Sequence, residues 1–156
     1  MKFFLDTAQH EDIARWVPTG LIDGVTTNPS LLSKSGNYSK KFLADLCSLV
    51  PGDVSIEVVE KDPAAIYSQA KEIAAIAPNA VVKIPFDVHY LPTIKTLASE
   101  GIALNITLVF SLMQALMAAK LGVRYISPFI GRLDDSDSNG IGLIEDMRIM
   151  LDNYGF

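Results

Sequence analysis

Short apolar runs rich in β-branched and aromatic residues recur along the whole chain of 156 residues. Runs of this kind are typical of β-strands. The predicted strands are Lys2–Leu5, Gly24–Thr27, Val54–Val59, Ala80–Ile84, Ala103–Val109 and Arg124–Phe129. Neighbouring runs lie about 20–30 residues apart, which is room for a strand, a helix and two loops. The pattern therefore predicts strands that alternate with helices.

Helical periodicity fills the intervals between these runs. The predicted helices are Gln9–Val17, Phe42–Val50, Pro63–Ile76, His89–Ser99, Ser111–Lys120 and Gly142–Asn153. Asp62 before Pro63 is a typical helix start, and Gly122 is a typical helix stop. Gly140 and Gly142 form a Gly-x-Gly pair that no strand directly precedes, so we predict a loop at that pair.

Regular alternation of this kind predicts an α/β fold with a parallel sheet covered by helices. The choice is between a doubly wound sheet and a (β/α)8 barrel. A glycine-rich phosphate loop would favour the first, and the sequence contains none. A barrel gathers its reactive residues at the carboxyl ends of its strands. The polar residues at the predicted strand ends are Asp6, Thr26, Asn28, Glu57, Lys83, Asn105, Thr107, Ser127 and Arg132. We therefore predict one barrel-type domain over residues 1–156, with about six βα units.

Lys83 is the most informative of these residues, because it lies in the apolar run Val81–Pro85. Desolvation disfavours the charged form of lysine, and a neutral amine can attack a ketone to form a Schiff base. The alternative is a strand-end lysine that simply reaches water.

The other strand-end groups match the needs of that chemistry. Asp6 and Glu57 can transfer protons, and Thr107 can place a water molecule. The amides of Asn28 and Asn105 suit substrate hydroxyls.

Arg132 can bind an anion with two parallel hydrogen bonds. Its structural alternative is an exposed ion pair with Asp134 or Asp135, which form an acidic run with Asp137 that we interpret as a solvated loop.

Three of the other groups also have a structural alternative. Asp6 with Thr7 can cap the first helix, Glu57 can pair with a surface lysine, and Asn28 before Pro29 can form a turn.

Composition narrows the functional classes. The net charge of −5 argues against a general nucleic-acid surface. Cys47 is the single cysteine, which permits no internal disulfide and predicts a buried, inert thiol in a reducing compartment. No apolar segment is long enough to span a bilayer, and no Cys or His spacing is that of a metal site. We expect a cytoplasmic protein.

Five stretches together resemble the transaldolase and fructose 6-phosphate aldolase family. They are Phe4–Ala8, Gly24–Ser30, Val82–Pro85, Leu104–Ser111 and Ile126–Arg132. The resemblance implies a (β/α)8 barrel, a Schiff base on Lys83, Asp6 as the acid and base for carbon–carbon cleavage, and a catalytic water held by Glu57 and Thr107. It implies no metal or organic cofactor.

The same resemblance implies the substrates and the binding residues. The residues expected to contact the substrate are Thr26, Asn28, Asn105, Ser127 and Phe129, with Arg132 at the phosphate. The implied reaction moves a dihydroxyacetone unit from sedoheptulose 7-phosphate to glyceraldehyde 3-phosphate, in the pentose phosphate pathway. Glu57 and Phe129 resemble the transaldolase branch, whereas the aldolase branch carries Gln and Tyr. Transaldolase is therefore favoured, with the aldolase activity as the alternative.

The chain departs from the family in its length, since the seventh and eighth βα units of a barrel have no counterpart here. We expect a fragment of a longer enzyme or an incomplete sequence, and we expect the isolated chain to be inactive. A catalytically inactive remnant that serves as a structural module is the remaining alternative. We also expect a homo-oligomer.

Overall fold

Parallel strand pairs and the helices that join them make up the structure, a computed structural model that describes residues 1–34, 39–135 and 139–156. The strands are β1 (Phe4–Asp6), β2 (Gly24–Thr26), β3 (Val54–Glu57), β4 (Ala80–Pro85), β5 (Leu104–Val109) and β6 (Tyr125–Pro128). The α-helices are α1 (His10–Trp16), α2 (Pro29–Lys34), α3 (Lys40–Leu49), α4 (Pro63–Ala74), α5 (Leu91–Ser99), α6 (Leu112–Lys120), α7 (Ile130–Asp134) and α8 (Gly140–Tyr154). This alternation confirms the predicted α/β class and is that of six βα units of a (β/α)8 fold.

The chain divides into two units, Met1–Val82 and Lys83–Phe156. In the first unit, β1 pairs in parallel with β2, and β2 pairs in parallel with β3. The fully buried side chains of this unit include Ile13, Val25 and Ile56. The prediction of one domain over the whole chain stays a prediction.

Asn79 joins α3 and the loop after it to the start of β4. Its Nδ2 donates to the carbonyl oxygens of Cys47, Val50 and Gly52 at 3.0, 3.2 and 2.8 Å. Its own carbonyl accepts a hydrogen bond from Val54 N at 2.9 Å. One half-buried side chain therefore donates to three carbonyl groups at the end of α3 and in the following loop, where few helical partners remain.

In the second unit, β5 pairs in parallel with β6. Phe86 N, just after β4, donates to Thr107 O at 2.8 Å and so brings the end of β4 next to β5. The register of β5 on β6 shifts between Ile106 and Val109, which marks a β-bulge.

Two local predictions were wrong. The predicted loop at Gly140 and Gly142 is instead the first turn of α8, where Asn139 Oδ1 accepts a hydrogen bond from Gly142 N at 2.8 Å. The alternative of a simple turn at Asn28 is replaced by a helix start, because Asn28 Oδ1 accepts from Leu31 N at 2.9 Å and Pro29 is the first residue of α2.

Other boundaries moved by a few residues. Strand β1 extends to Asp6 because that residue pairs with Thr26 on β2. Helix α5 begins at Leu91, since Val88–Tyr90 form a 3-10 turn. The predicted start of α4 is confirmed, with Asp62 Oδ1 accepting from Ala64 N and Ala65 N at 2.9 and 3.1 Å. Within the described ranges, every helix is too short or too polar to cross a lipid bilayer.

Candidate active site

Asp6 and Thr26 face each other at the carboxyl ends of β1 and β2. Thr26 Oγ1 donates to Asp6 Oδ1 at 2.8 Å. The capping alternative is wrong for Asp6, because Gln9 is the N-cap of α1, whereas Thr7 Oγ1 does accept a hydrogen bond from Gln9 N at 3.1 Å at the start of the helix. Parallel pairing therefore places a carboxylate and a hydroxyl together at one strand edge, with the carboxylate exposed to solvent.

Asn28 and Glu57 are the other predicted residues of the first unit. Asn28 follows β2 and is half-buried, and the helix-capping bond to Leu31 N uses its oxygen rather than its amide nitrogen. Glu57 is the last residue of β3 and is also half-buried, directly after the buried residues Ser55 and Ile56. Pairing of Glu57 with a surface lysine stays an untested alternative.

Lys83 lies inside β4, in a run of buried residues from Ala80 to Ile84. Its side chain is only 8% exposed. The alternative of a solvated strand-end lysine is therefore wrong. The structure therefore places Lys83 in a buried part of the strand, as the apolar run in the sequence predicted.

Asn105, Thr107 and Ser127 lie together on the neighbouring strands β5 and β6. Asn105 is 2% exposed and Thr107 is 4% exposed. Ser127 Oγ donates to Asn105 Oδ1 at 2.8 Å. This bond fixes which end of the Asn105 amide faces Ser127, and so sets the directions in which the pair can meet a ligand.

Arg132 lies on α7, one turn beyond the end of β6. Its guanidinium carbon is 4.7 Å from the centroid of the Phe129 ring, the geometry of a cation–π contact. The alternative ion pair of Arg132 with Asp134 or Asp135 stays an alternative, and the carboxylate of Asp134 accepts a hydrogen bond from Gly140 N at 2.9 Å. Asp137 lies outside the described residues.

Sequence reasoning gave no role to Phe110 and Gln114. The Phe110 ring lies 6.1 Å from the Phe129 ring, and Gln114 Oε1 accepts a hydrogen bond from Phe110 N at 2.7 Å. The pattern Ser111-x-x-Gln114 is a capping-box signal that the sequence already contained. The ring contact has no such signal, because it depends on the pairing of β5 with β6.

The predicted burial of the cysteine is confirmed, whereas the reducing compartment stays a prediction. Cys47 is 2% exposed, and burial raises the pKa of its thiol to about 11. A thiol that keeps its proton at neutral pH is a poor nucleophile, so Cys47 is a packing residue. In the part of the chain that the structure describes, no group of three or more His, Cys, Asp or Glu side chains is placed to hold a metal ion.

The sequence matches one protein family and many curated proteins. The profile of the family described as transaldolase/fructose-6-phosphate aldolase matches residues 3–156. A probable transaldolase of Hyphomonas neptunium is 51% identical over 156 residues, which are 100% of this chain and 72% of that protein. A probable transaldolase of Geotalea uraniireducens is 47% identical over 156 residues, with 100% of this chain and 73% of that protein covered. Probable transaldolase 2 of Listeria monocytogenes is 48% identical over 155 residues, with 99% and 71% covered.

Proposed function

The chain belongs to the transaldolase/fructose-6-phosphate aldolase family, and on that premise we propose that the protein, at the length its host produces, carries out transaldolase chemistry through a Schiff base on Lys83. The observation that carries the proposal is the burial of Lys83 inside β4. The names of its relatives support the transaldolase branch.

The first half of the reaction forms and cleaves a covalent intermediate. The Lys83 amine adds to the ketone carbon of sedoheptulose 7-phosphate, and the carbinolamine loses water to give an iminium ion. Asp6 then accepts the proton of the C4 hydroxyl as the C3–C4 bond breaks. Erythrose 4-phosphate leaves, and the three-carbon unit stays on Lys83 as an enamine.

The second half reverses these steps on a new acceptor. The enamine carbon attacks the aldehyde of glyceraldehyde 3-phosphate, and Asp6 returns its proton to the new alkoxide. Water, held by Glu57 and Thr107, adds to the iminium carbon, and fructose 6-phosphate is released from Lys83. Asp6 handles the proton of carbon–carbon cleavage and bond formation, the proton that the amine loses on addition leaves with the hydroxyl of the carbinolamine as water, and no step needs an oxidant or a reductant.

The remaining polar residues are proposed to bind the substrate. Thr26, Asn28, Asn105 and Ser127 would contact the hydroxyl groups of the dihydroxyacetone unit. The hydrogen bond from Ser127 to Asn105 supports this role, because a fixed amide offers a substrate one orientation.

Arg132 would bind the phosphate, since a guanidinium can form two parallel bonds to phosphate oxygens. The contact with Phe129 leaves the guanidinium on an exposed helix, where a phosphate can reach it.

Phe129 supports a transferase over an aldolase that releases free dihydroxyacetone. The aldolase branch, as the family resemblance implies, uses a tyrosine hydroxyl at this position to activate water. Phe129 has no hydroxyl, and its ring is occupied with Arg132. We expect the reaction to take place in the cytoplasm, as a step of the pentose phosphate pathway, and we expect a homo-oligomer.

Borohydride capture tests the Schiff base. The protein is purified at the length its own host produces, and an intact mass measurement compares that length with the 17.0 kDa of this chain. Borohydride added with fructose 6-phosphate is expected to reduce the iminium ion and to leave a three-carbon secondary amine. Peptide mapping should place that amine on Lys83.

The control variants separate this lysine from the others. Lys83→Met should abolish the adduct, whereas Lys95→Arg, at an exposed position on α5, should leave it unchanged. Absence of the adduct in the unaltered protein would overturn the proposal and favour an inactive structural module. Rapid formation of fructose 6-phosphate from dihydroxyacetone and glyceraldehyde 3-phosphate, with no ketose donor, would favour the aldolase.

A further inference from the structure

Strand β5 contains one more residue than the matching part of β6. The register pairs Ile106 with Ile126 and then Val109 with Pro128, so positions 106–109 on β5 match positions 126–128 on β6. Leu108 lies inside this bulge with φ of +55°, and among the described residues it is the only one besides glycine with a positive φ. A leucine is disfavoured in this left-handed region, so the rest of the fold holds the bulge in place.

The bulge changes the face to which the next side chains point. Successive side chains of a strand alternate between faces, and partners in a parallel pair share a face. Ile106 and Val109 therefore share one face, and Phe110 comes to the opposite face, which carries Asn105 and is called here the Asn105 face. In an uninterrupted strand Phe110 would lie on the same face as Ile106, because a shift of one residue exchanges the faces.

On the Asn105 face, Phe110 contacts the ring of Phe129, on which Arg132 stacks. The centroids of the Phe110 and Phe129 rings are 6.1 Å apart and their planes make an angle of 45°, which is within the range of favourable aromatic pairs. The guanidinium of Arg132 stacks on the same Phe129 ring, with its central carbon 4.7 Å from the centroid. Phe110 and Arg132 thus both contact Phe129.

The start of α6 fixes Phe110 from the other side. Gln114 Oε1 accepts a hydrogen bond from Phe110 N at 2.7 Å, and Gln114 N donates to Ser111 Oγ at 3.3 Å. This reciprocal arrangement is a variant of the capping box, shifted by one residue toward the strand. It holds the backbone of Phe110 at the point where the chain leaves the bulge.

We infer that Phe110 is a positioning residue for Arg132, acting through Phe129, and that the bulge at Leu108 brings it to that place. The inference rests on the proposed function in one respect, which is the role of Arg132 as the phosphate ligand. A Phe129 ring restrained by Phe110 limits the directions in which the guanidinium can stack. The N–H donors in the guanidinium plane then keep one orientation for two parallel bonds to a phosphate.

Titration of the protein with inorganic phosphate tests this inference without any need for catalysis. Nuclear magnetic resonance follows the guanidinium Nε–Hε signals, and Arg132→Gln identifies the signal of Arg132. Phe110→Leu is expected to weaken phosphate binding about two- to fivefold, the range of an exposed cation–π contact. Phe110→Tyr keeps the ring and should stay within about twofold of the unaltered protein.

The control variant is Met113→Ala, at a residue on α6 that is 59% exposed. It should leave phosphate binding unchanged. In a kinetic assay, Phe110→Leu should raise the KM for fructose 6-phosphate by the same factor and leave kcat within about twofold. General damage to the fold would lower kcat as well.

Equal phosphate affinity in Phe110→Leu and in the unaltered protein would overturn the inference. A lack of any phosphate-dependent shift of Arg132 in the unaltered protein would overturn it too. If Phe110→Leu does not fold, Gln114→Met takes its place. This variant has a side chain of similar length without the acceptor for Phe110 N, and it should weaken phosphate binding. Unchanged phosphate affinity in Gln114→Met would then count against the inference. Borohydride capture of dihydroxyacetone, which carries no phosphate, tests the Schiff base on Lys83 independently.

Discussion

Thr26 donates a hydrogen bond to Asp6 across two parallel strands on which these residues are direct register partners. At 2.8 Å between Oγ1 and Oδ1, the bond gives a fixed orientation to a carboxylate that is otherwise exposed to solvent. The hydroxyl proton of Thr26 is used in this bond. In the proposed reaction Thr26 therefore orients Asp6 in addition to contacting the substrate.

Substitution of Thr26 should slow carbon–carbon cleavage without preventing formation of the Schiff base. Thr26→Val keeps the shape of the side chain and removes the donor, and we expect kcat to fall about tenfold or more, since a hydrogen bond to a charged group contributes about 1.5–3 kcal/mol. Asp6→Asn, which removes the proton acceptor itself, should lower kcat by about 10²–10⁴. Turnover with fructose 6-phosphate as donor measures both effects.

The matched control for Thr26→Val is Thr96→Val, at an exposed position on α5. It should leave kcat unchanged. Borohydride capture of dihydroxyacetone on Lys83 should still occur in Thr26→Val, although more weakly, because the lost hydroxyl also contacts the dihydroxyacetone unit. Normal turnover by Thr26→Val would show that the bond to Asp6 has no part in the reaction.

Removal of the Asn79 amide should destabilise the fold. Its Nδ2 serves three carbonyl groups between Cys47 and Gly52, and Asn79→Ala leaves those carbonyl groups without this donor. We expect a loss of about 2–3 kcal/mol in the free energy of unfolding, and a larger loss for Asn79→Asp, whose carboxylate oxygens face the same carbonyl oxygens. Urea unfolding measures both.

Asn153→Ala, at an exposed position near the end of α8, is the control and should change stability by less than about 0.5 kcal/mol. Equal stability of Asn79→Ala and Asn153→Ala would mean that water replaces the amide at no cost.

The part of the fold that depends on local patterns could be predicted from the sequence. The apolar run around Lys83 predicted a buried strand, and the polar residues at strand ends predicted the neighbours that pairing brings together, such as Asp6 with Thr26. Both predictions use only the direction of parallel strands and the alternation of side chains.

The features that depend on contacts distant in sequence could not be predicted. Gly140 was interpreted as a loop residue, yet it is buried in the first turn of α8, where a Cβ atom would lie 2.8 Å from the carbonyl oxygen of Ile130. Its sequence position gives no sign of that close approach. The contact of Phe110 with Phe129 likewise depends on the bulge at Leu108. The bulge reverses the alternation of side chains, and that alternation is what predicts the face on which each residue lies.

Two glycines differ in the space that a Cβ atom would find, and so should differ in the effect of an alanine substitution. A Cβ atom at Gly52 would overlap the carbonyl oxygen of Asp23, whereas a Cβ atom at Gly131 would meet no atom within 4 Å. Gly52→Ala should therefore destabilise the protein by about 1–3 kcal/mol, through forced movement of the backbone. Gly131→Ala, inside α7, should be neutral or stabilise it by up to about 1 kcal/mol. Thermal and urea unfolding should show that Gly52→Ala is less stable than Gly131→Ala by at least about 1 kcal/mol. Equal stability of the two variants would contradict the geometry at Gly52.

Cys47 should make the stability of the protein depend on pH in the alkaline range. Burial raises the pKa of the folded thiol to about 11 from a value of 9.0. Below pH 9 both the folded and the unfolded thiol keep their proton, so the group contributes no pH dependence. Between about pH 9 and pH 11 the unfolded thiol ionises while the folded thiol does not, and the free energy of unfolding should fall by on the order of 2 kcal/mol.

Other side chains titrate in the same range, so Cys47→Ala provides the reference. The difference in unfolding free energy between the unaltered protein and this variant, measured in urea at pH 8 and at pH 10.5, isolates the thiol. Because Cys47 is the single cysteine, a thiol reagent at pH 8 should label the protein only after unfolding. A difference that does not change with pH, together with rapid labelling of the folded protein, would place Cys47 in contact with solvent and would contradict the packing of α3.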